Sequence, residues 1–407
     1  MAIKYIKLST FKNKTLLVRV DVNVPIKNGK VDDGFRIESI IPTLKMLKEG
    51  GNRIILCGHM GRPEGEWDES MSLKPAAREL AFHMGYKFLE TDHELGGYPD
   101  RRLIFFTGNL MEDKHLAQLK LVPPRDIVFL ENLRFYKQEE ANSASLARRL
   151  ATMADAYVDE AFSVTHHKAV SISEITKFLP SYGGPLLEKE IKSLSYILER
   201  RQKPFVLMMG GIKISDKIEV LENLGKKADH ILLAGGLANL VFASRGYEVG
   251  ISKVEIEAKA KAFQVDRNFK GRLVLPVDVV VANKDMDKGS IRVCLPHEVR
   301  KDEQVLDAGP KTILLFAGIL KQAKTIVWNG PLGLFEHKPF NTATMALARV
   351  IGGVGKRKAY AVVGGGETVD AVRQAGQMDN IDHVSTGGGA MLEFLAGKKL
   401  PGIEALK

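Results

Sequence analysis

Two cysteines, Cys57 and Cys294, are all that the 407 residues contain. That excludes a disulfide framework and a cysteine-based metal site, and makes the cytosol the expected compartment. No apolar run is long enough to cross a bilayer: the longest uncharged one, residues 231–244, is too short and carries Gly235-Gly236 near its start. No membrane partner is expected. The N-terminus, MAIKYIKLST, lacks the continuous apolar segment of a signal peptide. The 59 Lys and Arg residues form no long basic run and do not interleave with aromatics, so nucleic acid is not the expected partner. A net charge of +10 then points to small anions such as phosphorylated metabolites.

Two nucleotide signatures are missing as well. G-x-x-x-x-G-K-[ST] occurs nowhere. No strand-to-helix junction shows G-x-G-x-x-G opening a βαβ unit with an acid on the next strand, which sets aside a nicotinamide dehydrogenase. What remains is a folded composition, 45% apolar and 27% charged, on a chain long enough for two domains.

Residues 204–217, PFVLMMGGIKISDK, carry the strongest local pattern. A five-residue apolar run reads as a buried parallel strand, and two glycines and Lys213 follow it. Ser215 and Asp216 are placed to cap a helix through Ile218, Leu221 and Leu224. Glycine turn, helix N-terminus, Lys213 and Lys217 together make an anion site, although an ordinary strand-to-helix turn has the same outline.

In the first half, four strands end in polar residues. Residues 16–20 lead into RVDVNVP, where alternation puts Arg19, Asp21 and Asn23 on one face and three valines on the other. Arg36 follows just before a helix. Residues 54–57 lead into GHMGRP, with His59 and Arg62 as cationic-capable groups on a constrained loop. Residues 127–130 deliver ENLRF with Arg134, and 156–158 lead into DEAFSVTHHK with His166 and His167. In an open parallel sheet ligands bind beyond the carboxyl ends of strands, and a bare cluster of cations there repels itself without an anion. Arginines suit a phosphate because one guanidinium grips two oxygens. The adjacent His166-His167 pair, with no companion carboxylate or Cys motif, is weak evidence for a metal.

Gly183-Gly184-Pro185 breaks this pattern and introduces a helix over residues 186–198, a linker candidate. Beyond it strands again end in glycine or a turn: GGLAN after 234, PVD after 275, AGP after 307, NGPLGLFE after 328, GGGET after 363 and GGGA after 386. Repeated along one sheet edge, such turns describe an apolar, backbone-lined slot suited to a nucleotide, with Glu336 for ribose hydroxyls.

These motifs, in order from RVDVNVP (19–25) to STGGGAMLEFLAGKKLPG (385–402), resemble phosphoglycerate kinase from end to end. The resemblance implies an α/β fold of two doubly wound, parallel-sheet, Rossmann-like lobes joined by a hinge helix. It divides the chain into a 3-phosphoglycerate-binding lobe (1–182), the hinge (183–199), a nucleotide-binding lobe (200–390) and a tail returning to the first lobe (391–407). By position it implies a substrate site of Asp21, Asn23, Arg36, His59, Arg62, Arg134, His166 and His167. It implies a nucleotide site of Lys213, Lys217, Gly235, Leu306, Asn329, Glu336, Gly365, Gly366, Glu367 and Thr368, with Glu367 toward the Mg²⁺ of ATP or ADP. Arg36, Lys213 and the backbone N–H groups of Gly366 and Gly389 correspond to the groups that stabilise the phosphoryl in flight. A monomer is implied. The chain departs from the family at His167, where an arginine is usual, at Asp159-Glu160 in place of Asn-Asp, at Ser163 in place of glycine, and at Glu367 in place of aspartate. A non-catalytic or weakened paralogue that still binds nucleotide is the alternative these departures raise.

Overall fold

The computed structural model describes residues 3–91, 100–213, 215 and 217–407. It divides into two compact units, residues 1–191 with 399–407, and residues 192–398.

The first unit is built on a seven-stranded sheet in which every neighbour is parallel. Its order is Lys87–Thr91, Arg102–Phe106, Ile127–Leu130, Arg53–Cys57, Thr15–Arg19, Ala156–Asp159 and Ser181–Gly183. Leu16 to Val18, Ile54 to Cys57 and Ile127 to Leu130 are wholly buried, as expected of strands covered on both faces. The four strands that end in the RVDVNVP, GHMGRP, ENLRF and DEAFSV segments are consecutive neighbours, so their carboxyl ends share one stretch of sheet edge.

Two strands at the far edge, Lys87–Thr91 and Arg102–Phe106, escape the sequence reading because their apolar residues do not alternate and polar ends frame them. Arg102 is anchored by Asp126, whose carboxylate accepts from Nε at 3.1 Å, Nη2 at 2.6 Å and the Arg102 backbone N–H at 3.0 Å. The helix Pro185–Glu199 begins where Glu160 supplies an acceptor to the Leu186 and Leu187 N–H groups. Glu160 also accepts from Thr43 Oγ1. Gly184 is required there, because a Cβ would overlap the Glu160 carboxylate.

The second unit has a six-stranded parallel sheet ordered Leu273–Val274, His230–Leu233, Phe205–Met209, Thr325–Asn329, Tyr360–Gly364 and His383–Val384. Strand order reverses between Phe205–Met209 and Thr325–Asn329, the position at which doubly wound sheets open a ligand crevice. One expectation needs correction. The segment around Leu306 does not continue this sheet edge; Glu303–Ala308 pairs antiparallel with Val279–Asn283, which pairs with Arg292–Cys294 in a separate sheet. Pro276, which has no N–H to donate, follows soon after the two-residue strand Leu273–Val274, and the chain turns away into the second sheet.

Asp278 ties the two sheets' connections together. Its carboxylate accepts from the N–H groups of Lys311 (2.9 Å) and Thr312 (2.7 Å) at the start of helix Pro310–Gln322, and from Thr312 Oγ1 at 2.7 Å. Asp278 is buried, so removing it leaves helix N–H groups without water to replace it. Asp278→Ala should therefore cost about 2–3 kcal/mol in urea unfolding followed by fluorescence of the buried Trp328. A loss below about 0.5 kcal/mol would show that the cap contributes little.

Candidate active site

On the first unit, Asp21 and Asn23 follow the Thr15–Arg19 strand, and alternate valines 20, 22 and 24 enter the core beneath. Asp21 accepts from the Asn23 N–H at 3.0 Å and from Ser163 Oγ, and pairs with Arg36 Nη1 at 2.9 Å. Arg36 also donates to the Asn23 carbonyl at 2.9 Å. Asn23 Oδ1 accepts from the Gly61 N–H at 3.2 Å, and Arg134 Nη1 donates to the Gly61 carbonyl at 2.7 Å. Four strand ends are thereby fastened to one another. Ser163, where the resemblance implies a glycine, thus holds Asp21. Nor is the cluster a bare set of cations, since Arg134 Nε also lies 3.2 Å from Glu140. Arg62, like His167, is exposed.

Arg19 was not counted among the site residues, yet it orders them. Only 3% exposed, it donates from Nε to Ser171 Oγ at 2.9 Å, from Nη1 to the Val20 carbonyl, and from Nη2 toward His59 Nδ1 at 3.0 Å. A guanidinium can only donate, so His59 Nδ1 must accept and the neutral ring carries its proton on Nε2. Burial holds the His59 pKa well below the ordinary value, and the charges of Arg19, Arg134, Arg36 and His167 push the same way. The expectation that His59 adds a cation is thus corrected: it is a neutral donor. The signal in the sequence was the position of Arg19 inside a buried strand.

His166 and His167 lie with ring centroids 3.9 Å apart, and His166 Nδ1 is buried without a hydrogen-bond partner. Burial lowers the His166 pKa, against the pull of a backbone hydrogen bond at Ser163.

On the second unit the expected nucleotide residues line a single cavity of about 1060 Å³. Lys213, Lys217, Gly235, Leu306, Asn329, Glu336, Gly365, Gly366, Glu367 and Thr368 all face it. Its floor is backbone packed on backbone. The Gly211 N–H donates to the Pro331 carbonyl at 2.9 Å, and a Cβ at Gly210 would overlap that same oxygen. Gly330 (φ 92°) and Gly365 (φ 95°) adopt conformations that L side chains avoid. Asn329 Nδ2 donates to the Gly364 carbonyl at 3.0 Å, while Thr368 Oγ1 accepts from the Gly330 N–H at 2.8 Å. Gly366 opens the helix Gly366–Gln374. Gly389, in the first turn of helix Gly388–Leu395, does not line the cavity.

The capping expectation at 215–216 is only partly accounted for. Ser215 donates to Glu255 at 2.6 Å instead of capping, and the helix Ile218–Leu224 starts after Lys217 without a side-chain cap. Asp216 lies outside the described residues. A further wall of Ile251, Lys253, Lys284, Met286 and Gln304 went unforeseen because it comes from the antiparallel sheet and its flanks.

Glu367 is the most perturbed group in the cavity. Its pKa is raised by burial and by the neighbouring Glu336, to which it is hydrogen-bonded, with Lys217 opposing. Two close carboxylates are oxygen donors of the kind that suits a hard divalent cation such as Mg²⁺.

Known proteins match this arrangement. The family model described as phosphoglycerate kinase matches residues 6–398. Phosphoglycerate kinase from Xanthobacter flavus is 39% identical over 399 residues, covering 97% of this chain and 96% of that protein. That from Pelotomaculum thermopropionicum is 38% identical over 409 residues, covering 100% and 99%. The structure of phosphoglycerate kinase from Coxiella burnetii superposes with a TM-score of 0.79 at 36% identity, covering 99% of this chain and 98% of the other. The enzyme from Pyrococcus horikoshii superposes with a TM-score of 0.85 at 27% identity over the same shares. The chain belongs to the phosphoglycerate kinase family, enzymes that move a phosphoryl group reversibly between ATP and the carboxylate of 3-phosphoglycerate.

Proposed function

We propose that the first unit's sheet edge binds 3-phosphoglycerate and that the cavity of the second unit binds the nucleotide. The observation that carries this reading is the gathering of ten expected nucleotide residues on one cavity bearing lysines and a helix N-terminus. Family membership supports the assignment of the two substrates.

The nucleophile in this reading is a substrate carboxylate, with a free pKa of about 3.5, already ionised at neutral pH. No general base is needed. The work falls to positioning and to neutralising charge. Arg36, Arg62, Arg134 and His166 would hold the phosphate and carboxylate of the acceptor, and Asp21 and Asn23 its hydroxyl. His59 would donate from Nε2. Lys213, Lys217 and the N–H groups of Gly366 would hold the nucleotide's phosphates, and Asn329, Glu336, Leu306 and the Gly235 turn its ribose and base. Glu367 would hold the Mg²⁺ of the nucleotide, which offsets charge on the phosphate oxygens. By the family resemblance, Arg36, Lys213 and the N–H groups of Gly366 and Gly389 would neutralise the transferring phosphoryl. Binding the two substrates on separate units makes the helix Pro185–Glu199, which runs from one unit into the next, the proposed hinge. A monomeric cytoplasmic enzyme is the accompanying proposal, supported by the family and by two cysteines that are buried and unpaired.

Three outcomes test this. In a coupled assay with MgATP and 3-phosphoglycerate, Lys213→Ala should lower kcat by about 10²–10³-fold while ADP binding persists. Unchanged kcat would remove Lys213 from the site. His167→Arg should lower KM for 3-phosphoglycerate several-fold, because a planar fork grips phosphate better than an exposed imidazole. An unaltered KM would show that position 167 is not a ligand. By nitrogen-15 NMR, His59 should remain the neutral Nε2–H tautomer at pH values where an ordinary histidine, near 6.5, has taken its proton. The unfolded chain takes that proton and the folded one does not, so this group lowers stability as pH falls below about 6.5. An ordinary titration of His59 would overturn the Arg19–His59 assignment.

A further inference from the structure

We propose that Gln304 selects the base of the nucleotide, favouring a purine with an amino group at C6 over one with a carbonyl there. The proposal rests on the nucleotide reading of the second unit's cavity.

Gln304 lies on the strand Glu303–Ala308, half-buried, and lines the cavity. Its Nε2 donates to the backbone carbonyls of Asn283 at 3.0 Å and Lys284 at 3.1 Å. Both amide hydrogens are therefore used. Turning the amide over would set Oε1 against two carbonyl oxygens, so its orientation is fixed by chemistry. The atom left over is Oε1, which can only accept.

Gln304, Val305 and Leu306 all line the cavity, at a point where the strand's register against Val279–Asn283 shifts. Val305 packs against Val279, Val281 and Cys294. Leu306 packs with Met286 and Leu334, and all three line the cavity. On this wall Gln304 thus stands beside apolar side chains, with Lys253 and Lys284 also lining the cavity. Lys213, Lys217 and the Gly365-Gly366 turn supply the cations and N–H groups suited to phosphates, which leaves the apolar wall for the base.

An adenine amino group can donate to Oε1. A 6-oxo purine instead sets an oxygen against that oxygen. Lys253 and Lys284 also line the cavity, but an ammonium can serve a ring nitrogen or a phosphate of either nucleotide. They soften the discrimination without reversing it, and an effect of about tenfold is expected in a cavity open to water.

The test is calorimetric binding of ADP and IDP, which differ at position 6, to the wild-type chain and to Gln304→Met and Gln304→Glu. The wild type should bind ADP about tenfold more tightly. Gln304→Met should bring the ratio toward one by weakening ADP and not IDP. Gln304→Glu should weaken both through its charge yet keep the preference, because an acceptor remains. Equal wild-type affinities, or a ratio unmoved in Gln304→Met, would overturn the proposal while leaving the cavity a nucleotide site. Failure of the wild type to bind either nucleotide would remove the nucleotide reading itself, and this proposal with it.

Discussion

A guanidinium buried beneath a sheet edge has to be given acceptors, and the acceptors of Arg19 organise the whole first site. Its three nitrogens reach the Thr15–Arg19 strand end, the loop of His59 and the segment of Ser171. Ser171 in turn donates from Oγ to the buried Glu139 at 2.5 Å. Burial raises the Glu139 pKa, while the Ser171 hydroxyl and the Arg19 charge pull it back. Removing Arg19 would leave the imidazole free to take either tautomer and would strand a buried acid. The cost would fall on the geometry of a ligand site that Arg19 need not touch.

The second unit reaches the same end by removing side chains. Where Gly210 meets Gly330 and Pro331, and Gly235 meets Gly211, backbone lies against backbone with no side chain between. Rigidity there comes from Asn329 and Thr368, which bolt neighbouring loops together. One unit presents guanidinium forks suited to a small acid with two anionic ends. The other presents a wide apolar slot with cations on one side.

The motif-bearing strands were legible because each is an apolar run closed by glycine or a charged turn. With a parallel sheet assumed, they had to share an edge. The edge strands Lys87–Thr91 and Arg102–Phe106 were not, since what secures them is the ion pair of Arg102 with Asp126, 24 residues away. The antiparallel sheet escapes the sequence for a similar reason: Leu306 lines the cavity, but its partners across the sheet and at the cavity rim leave no local pattern. Ser215 looked like a cap by position and instead spends its hydroxyl on Glu255, a contact no spacing rule reports. His59 looked cationic because the sequence shows its type and not its surroundings.

Perturbed acidity marks function in this chain only with a second criterion. Asp159 is raised to about 6, and Glu160 and Asp307 to about 7, in each case chiefly by burial. The last two accept from helix N–H groups, Glu160 at Leu186 and Leu187, and Asp307 at Ala343. They are helix caps whose acidity is a by-product of where the helices begin. A reaction whose nucleophile is already ionised gives such groups no proton to move, so a search for acid–base catalysts would select them wrongly. Glu367 differs because its second cause is another carboxylate facing the same cavity, a conflict that a bound cation relieves and a proton only masks. What separates Glu367 from the scaffold acids is therefore a like charge across an open cavity, and not the size of a shift.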